Sequence, residues 1–436
     1  MSIKDRLGRL TGGSASPVPP DSRQEKLSEL RRKMEEVMNR RDRMNRPAPD
    51  ASRRPGLPLE HVVAGEEVIT EHGGFFFSRN RMNEADRYGN AVIRDLSRLD
   101  MKGVAILAGS GTFAGFSPED ALFLDTETTG LAGGTGTFPF LIGLGWFEQD
   151  SFVTCQLFAR DFSEERSMLA HLQDIAANRR FLVSFNGRAY DMNLLSARYI
   201  LNRLHCTIAD KPHLDLLHPG RRLLRHRMEN ARLVTIEACV LGVEREDDVP
   251  GHEIPQRYFD WLRSRDGSLM EDVFRHNRLD IVSMASLLKH LADLVGGGVD
   301  PERMHHGDVL CAARLHHERG DLRSARALYE KIALSPERES AESARKSLSL
   351  IHKKSGSWED AVVIWEGMLS RDPHDLFAAE ELAKYHEHRR REFGRAARIV
   401  QAVLDGSRSM RDEERHAFEH RLRRLLAKSS SRQDIP

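Results

Sequence analysis

The run DTETTG at 125–130 follows the apolar stretch ALFL. In a strand, residues i and i+2 share a face, so Asp125 and Glu127 project together. At a rise of roughly 3.3 Å per residue they stand about 7 Å apart, a spacing that can bracket a metal ion. Taken alone, an Asp-x-Glu triplet is more often a strand end that caps a turn. A third carboxylate sits in SFNGRAYD, where an apolar strand runs into Asn186-Gly187 and a helix is expected to begin near Ala189. That puts Asp191 in a first helical turn, at the strand end where α/β sheets collect ligands. Asp in a first turn also suits the helix dipole without any further role. In HNRLD at 276–280 the i, i+4 spacing places His276 and Asp280 on one helix face, again an ordinary arrangement by itself. The weight lies in the order: strand Asp-x-Glu, strand-to-helix Asp, then helix His-x-x-x-Asp, over about 155 residues.

These residues need a scaffold, and the surrounding pattern predicts one. ALFLDTE, FPFLIGLGWF and SFVTCQLF are rich in apolar and aromatic residues, separated by glycine or acidic turns, and read as a three-strand antiparallel meander. A helix over 163–177, the buried strand FLVSF, a helix over 189–203 and a strand at HLDLL follow. Residues 219–295 read as helical apart from the loop REDDVPGHEIP at 245–255. The expected fold is α/β, a ribonuclease H-like mixed sheet with flanking helices over 119–296. Before it, 58–118 reads as a β-rich lead-in (EEVIT, GFFFS, VAILAG), and 1–57 as a disordered leader with one amphipathic helix between Ser22 and Asn45. After the glycines of VGGGV at 295–299, three segments align from Gly320, Gly356 and Arg391, at offsets of 36 and 35 residues. A turn glycine, which the third segment lacks in register, a close-contact Ala and a large apolar residue four positions later resemble tetratricopeptide hairpins, predicting an all-α repeat domain over 304–427. An ordinary helical bundle is the plainer reading.

The 436 residues balance 66 basic against 66 acidic side chains, so any nucleic-acid binding must rest on local patches. Cys155, Cys206, Cys239 and Cys311 are scattered, which suggests a reducing cytoplasm and excludes a zinc ribbon. With no apolar signal region and no apolar run of about 18 residues, neither secretion nor membrane insertion is expected.

DTETTGLAGGTGTFPFLIGLG, SFNGRAYD, HLDLLHPGRRL, VPGHEIP and HNRLDIVSM together resemble the DEDD, or DnaQ-like, superfamily of 3′-to-5′ exonucleases. Over about residues 60–400 the chain resembles its YprB-type, or mitomycin repair factor B, branch. That resemblance implies a phosphodiester hydrolase acting on nucleic acid, DNA rather than RNA, in DNA repair, with a helicase or other protein partner on the repeats. It implies that Asp125, Glu127, Asp191 and Asp280 ligate two Mg²⁺ or Mn²⁺ ions and that His276 is the base. All-oxygen ligation suits hard divalent cations, and an imidazole with pKa near 6.5 can take a proton at neutral pH. Superfamily members with histidine usually place it five residues before the last Asp; here it stands four before, the spacing of members that use tyrosine. The alternative is a catalytically weak scaffold that binds nucleic acid.

The same resemblance makes Thr128, Thr129 and Gly130 the surface for a terminal nucleotide, with Asn186 a candidate phosphate contact. Arg221, Arg222, Arg225 and Arg227 form a basic cluster suited to backbone phosphates, although charge runs are usually solvated helix faces. Asp215 reads as a strand-end residue. LAGGTGTF at 131–138 lacks the Gly-Lys-Ser/Thr of a phosphate loop and leads into a strand, so it reads as a hairpin. His305-His306 and His316-His317 read as structural or surface histidines, because no acidic partner accompanies them in the repeat region.

Overall fold

The computed structural model describes residues 56–130, 136–297, 304–406 and 410–433. The leader helix, most of LAGGTGTF and the segment after the boundary glycines lie outside the described residues. Among the described residues nine strands form in chain order: β1 (Glu66–Thr70), β2 (Gly73–Met82), β3 (Arg87–Tyr88), β4 (Ala91–Val92), β5 (Ala121–Thr128), β6 (Pro139–Glu148), β7 (Ser151–Phe158), β8 (Phe181–Ser184) and β9 (His213–Asp215). Seven of them pair in the order β1-β2-β7-β6-β5-β8-β9, and β3 pairs with β4. The meander β5-β6-β7 is antiparallel, while β8 and β9 join β5 in parallel. This mixed sheet with flanking helices fits a ribonuclease H-like fold, extended at one edge by the β1-β2 hairpin from the lead-in.

One part of the lead-in departs from expectation. VAILAG, read as a strand, lies in the helix Met101–Ala108. A short apolar run does not distinguish helix from strand, and here the flanks decide. Asp100 accepts a hydrogen bond from the Lys102 amide at the N-terminus, and Gly109 closes the C-terminus at φ 66°.

Alternation along β5 sorts its side chains between two layers. Phe123 joins a core with Ile281, Ala285 and Leu288 of the long helix Ser268–Gly296, whereas Leu122 and Leu124 pack with Leu169 and Leu172 of the helix Glu165–Ala177 and with Leu195 of Asp191–Leu201. Two glycines of β6 let the long helix settle onto the sheet. A Cβ at Gly143 would stand 2.2 Å from Asn277 Oδ1, and one at Gly145 would stand 2.4 Å from Ile281 Cγ2. Glycine inside a strand often marks such a close approach.

The described residues of the C-terminal region form helices, from His306–Glu318 to Asp412–Gln433. The aligned positions Ala325, Ala361 and Ala396 are fully buried, as are Tyr329, Trp365 and Val400 four residues on. Gly320, Gly356 and Arg391 all adopt positive φ, at 81°, 85° and 56°. The core is continuous from the long helix into the first C-terminal helices, through Val309, Leu310, Ala325 and Tyr329.

Candidate active site

The apolar half of β5 is buried and its polar end emerges beside the ends of its neighbours. Asp125 and Glu127 share the face covered by the long helix, which brings Asp280 over them. Asp191 arrives from the other layer, in the first turn of the helix that follows β8. There its carboxylate accepts hydrogen bonds from the Thr126 hydroxyl and backbone amide. Three elements from both sides of the sheet thus converge on the C-terminal end of β5.

The electrostatics of this convergence are unfavourable for four bare carboxylates. Burial raises Asp125 well above the usual carboxylate range, and repulsion from Asp280, Glu127 and Asp191 adds to it, partly offset by a hydrogen bond from Asn277. Glu127 is pushed up to about 8, first by burial and then by Asp280 and Asp191, against the pull of His276. Asp191 is pushed up to about 6 by burial, with the Thr126 hydrogen bonds opposing. Groups so placed ionise together only if a cation compensates them, and their donor atoms are all oxygens. The residues therefore fit hard divalent ions. Among the described residues no three of these carboxylates bring oxygens within 4.8 Å of one another, so the set is open rather than clenched.

His276 faces the same site. Its Nδ1 lies 2.9 Å from both oxygens of Asp248, and its Nε2 lies 3.7 Å from Asp280 Oδ2, so the four-residue spacing does bring the ring to that carboxylate. Burial alone would lower its pKa, but Asp280, Glu127 and Asp248 outweigh it and the pKa is raised. Asp248 comes from the 245–255 loop, as does Arg245, whose side chain is 1% exposed and pairs with Glu237 (2.5 Å), Asp248 (3.0 Å) and Asp280. Glu237 in turn accepts from Ser283, whose hydroxyl meets the Tyr88 hydroxyl at 2.5 Å.

A cavity of about 380 Å³ opens beside Asp125 and Asp191, with Thr128, Gly130, Asn186 and Tyr190 on its wall. Thr128 donates to the Gly130 carbonyl (2.9 Å). Thr129 is turned away, its hydroxyl accepting from the Phe138 amide (3.0 Å). Asn186 holds φ 66°, and its amide donates to Asp215 Oδ1 at 2.7 Å. Asp215 also accepts from the Arg188 and Leu217 amides, which makes it a clamp on the loop. Arg221 and Arg222 are not brought to this cavity. With Arg225 and His218 they line a separate concavity of about 860 Å³, and Arg222 pairs with Glu318.

Several neighbours escaped the sequence reading. Asn277 links Asp125 (2.9 Å) to Gln156 (2.9 Å) in a buried chain across β5 and β7. It adjoins His276, but the adjacent glycines of β6 were the only hint of its depth. Arg245 and Asp248 lie in the 245–255 stretch that the sequence marks only as a loop. Tyr190, 59% exposed at the cavity rim, lay unmarked inside FNGRAYD.

Residues 122–292 match the family model for the RNase H superfamily. The uncharacterized protein YprB of Bacillus subtilis (strain 168) is 32% identical over 326 residues, covering 73% of this chain and 77% of that protein. The chain belongs to the YprB family. The ribonuclease H superfamily domain of this chain implies a nucleic-acid substrate and suggests hydrolase chemistry. A solved family B DNA polymerase from Pyrobaculum calidifontis aligns with 71% of this chain and 46% of its own, at 10% identity and a TM-score of 0.33. At that score the likeness says nothing about a shared fold. Among the described residues no helix is long and apolar enough to cross a membrane.

Proposed function

We propose that this chain is a DEDD-type 3′-to-5′ exonuclease that hydrolyses DNA or RNA ends with two divalent cations. The observation that carries it is the meeting of four mutually repelling carboxylates from three elements beside a cavity of about 380 Å³, a volume suited to one terminal nucleotide. Mg²⁺ or Mn²⁺ held by Asp125, Glu127, Asp191 and Asp280 would stabilise the attacking and leaving oxygens of an in-line displacement. Asp248 accepts the Nδ1 proton of His276 and so leaves the Nε2 lone pair facing the carboxylates, where it takes the proton of the attacking water. Thr128, Gly130 and Asn186 border the place of the terminal nucleotide, and Tyr190 offers its ring to the base. The outlying Arg221 and Arg222 bind backbone phosphate further along the strand.

The test is turnover of a 3′-labelled oligonucleotide with Mg²⁺ or Mn²⁺. Stepwise shortening is expected, with Asp125→Ala and Asp191→Ala reduced at least about a thousandfold, the order expected when a transition-state stabiliser is removed. Cleavage of a circular substrate would refute exonuclease action. One observation favours a second reading, a nucleic-acid-binding scaffold: Arg245 already neutralises part of Asp280. Equal binding by wild type and Asp125→Ala, with no turnover in either, would support it. We assign the C-terminal helices to a tetratricopeptide-like array that recruits a protein partner such as a helicase, in DNA repair. The matched burial at Ala325, Ala361 and Ala396 supports that assignment.

A further inference from the structure

A second cluster of ligating groups lies where the segment Arg225–Arg227 meets the first C-terminal helix, His306–Glu318. Among the described residues it is the one place where three potential ligand atoms fall within 4.8 Å of one another: His226, His305 and Asp308. None belongs to the carboxylate site, and His305 was dismissed above for want of an acidic partner. The fold supplies that partner three residues on, in Asp308.

Four features distinguish this cluster from an ordinary ion pair. Asp308 is fully buried, and its Oδ1 has no hydrogen-bond partner although His226 Nε2 is only 3.1 Å away. Two ligand atoms on a tetrahedral ion, with bonds of roughly 2.0–2.1 Å, stand about 3.3 Å apart, so this separation also admits a shared ion. His305 Nδ1 lies 4.0 Å from the same Oδ1 and accepts a long hydrogen bond from the Gly307 backbone amide, 3.2 Å, which a bound ion would replace. Arg227 holds the other oxygen, Oδ2, at 2.7 Å and is itself fixed on the Cys239 carbonyl, the outer hydrogen bonding that orients a ligating carboxylate. Lastly, a Cβ at position 307 would stand 2.4 Å from His226 Nε2, so glycine there keeps the ring's approach open.

We propose that His226, His305 and Asp308 form a binding site for a divalent transition-metal ion of the zinc class, which pins the nuclease-domain segment to the C-terminal helices. Two imidazoles and one carboxylate select such an ion over Mg²⁺, which prefers all-oxygen ligation. Both histidines are exposed, so water can complete the fourth position. The site is separate from the proposed nuclease centre and does not depend on it.

The test uses the full-length protein stripped with chelator, with excess Mg²⁺ to fill oxygen sites, titrated with Co²⁺ and followed by visible absorption. The expected result is one equivalent giving the intense bands of tetrahedral coordination and displaced by Zn²⁺. Affinity should fall at least tenfold in His226→Gln and in His305→Gln, and persist in Asp125→Asn. Circular dichroism checks that each variant is folded, and the exposed position of His305 makes its variant the safer one. Unchanged bands in both histidine variants, bands lost only in Asp125→Asn, or no stoichiometric binding would each overturn the proposal.

Discussion

The side-chain amide of Asn277 donates a 2.9 Å hydrogen bond to Asp125 Oδ2, so the long helix fixes the orientation of a carboxylate on the interior strand β5. Replacing Asn277 by Ala removes the donor to Asp125 in a buried setting and leaves the Gln156 amide with only the Phe274 carbonyl. Stability should fall by about 1–3 kcal/mol, the cost of a buried polar group left unpaired. Nuclease activity should require roughly 10- to 100-fold more Mg²⁺, as expected when a ligand loses its outer partner. Denaturant melts and a metal titration of turnover measure the two effects separately. Unaltered metal dependence would deny Asn277 its positioning role.

Asp125→Asn should separate function from stability. The folded-state pKa of Asp125 is raised, so its contribution to stability is greatest below the unfolded value, near 3.9, and is lost as pH rises. At pH 7 and without metal, the Asn variant should therefore melt above wild type. Added Mg²⁺ should raise the wild-type Tm and do little for the variant, while turnover by the variant vanishes. A variant Tm below that of the metal-free wild type would contradict the repulsion described here.

Tyr190 gives a test at the substrate end. Stacking of a base on an aromatic ring contributes about 1–3 kcal/mol. Tyr190→Ala should raise KM roughly tenfold and leave kcat within a factor of a few, because the ring does not touch the carboxylates' chemistry. Steady-state kinetics on a short oligonucleotide read this out, and a loss confined to kcat would point away from stacking.

His213 provides a pH signature. Its Nε2 meets Ser184 Oγ at 2.7 Å, and burial, then the Arg188 charge, push its pKa down to about 4. The unfolded chain binds this proton from about pH 6.5 downward, whereas the folded chain resists until about 4. The stability that neutral His213 contributes is thus present above pH 6.5 and falls away as pH drops toward 4. A resonance of the His213 ring should titrate near 4, and His213→Gln should flatten the stability curve across that interval.

Arg391 occupies a left-handed turn, φ 56°, where the two preceding units use glycine. A non-glycine residue there costs roughly 1 kcal/mol. Arg391→Gly should stabilise the C-terminal helices by about that amount, measured by chemical denaturation. Destabilisation would mean that the arginine side chain contributes more than its backbone costs.

The sheet was legible because its strands are long, apolar and separated by turns, and because the order of Asp125, Asp191 and Asp280 follows that sheet. VAILAG was not, since six apolar or small residues fit either periodicity until Asp100 and Gly109 are recognised as caps. The supporting network was hidden for another reason. Arg245, Asp248 and Glu237 are charged, and sequence alone assigns such residues to solvent; only the fold buries them against one another and against Asp280. The grouping of His305 with His226 was hidden similarly, because the two lie 79 positions apart in the chain.

The fit between Gly143 and Asn277 also constrains inheritance. No side chain larger than hydrogen fits at 143 while the amide lies where its Cβ would be, 2.2 Å away. Replacing Asn277 would vacate that space, but it would also release Asp125. Neither position can therefore drift alone. A lineage that changed both would have to find another way to hold the first carboxylate, so this pair should be lost together, and only with the activity.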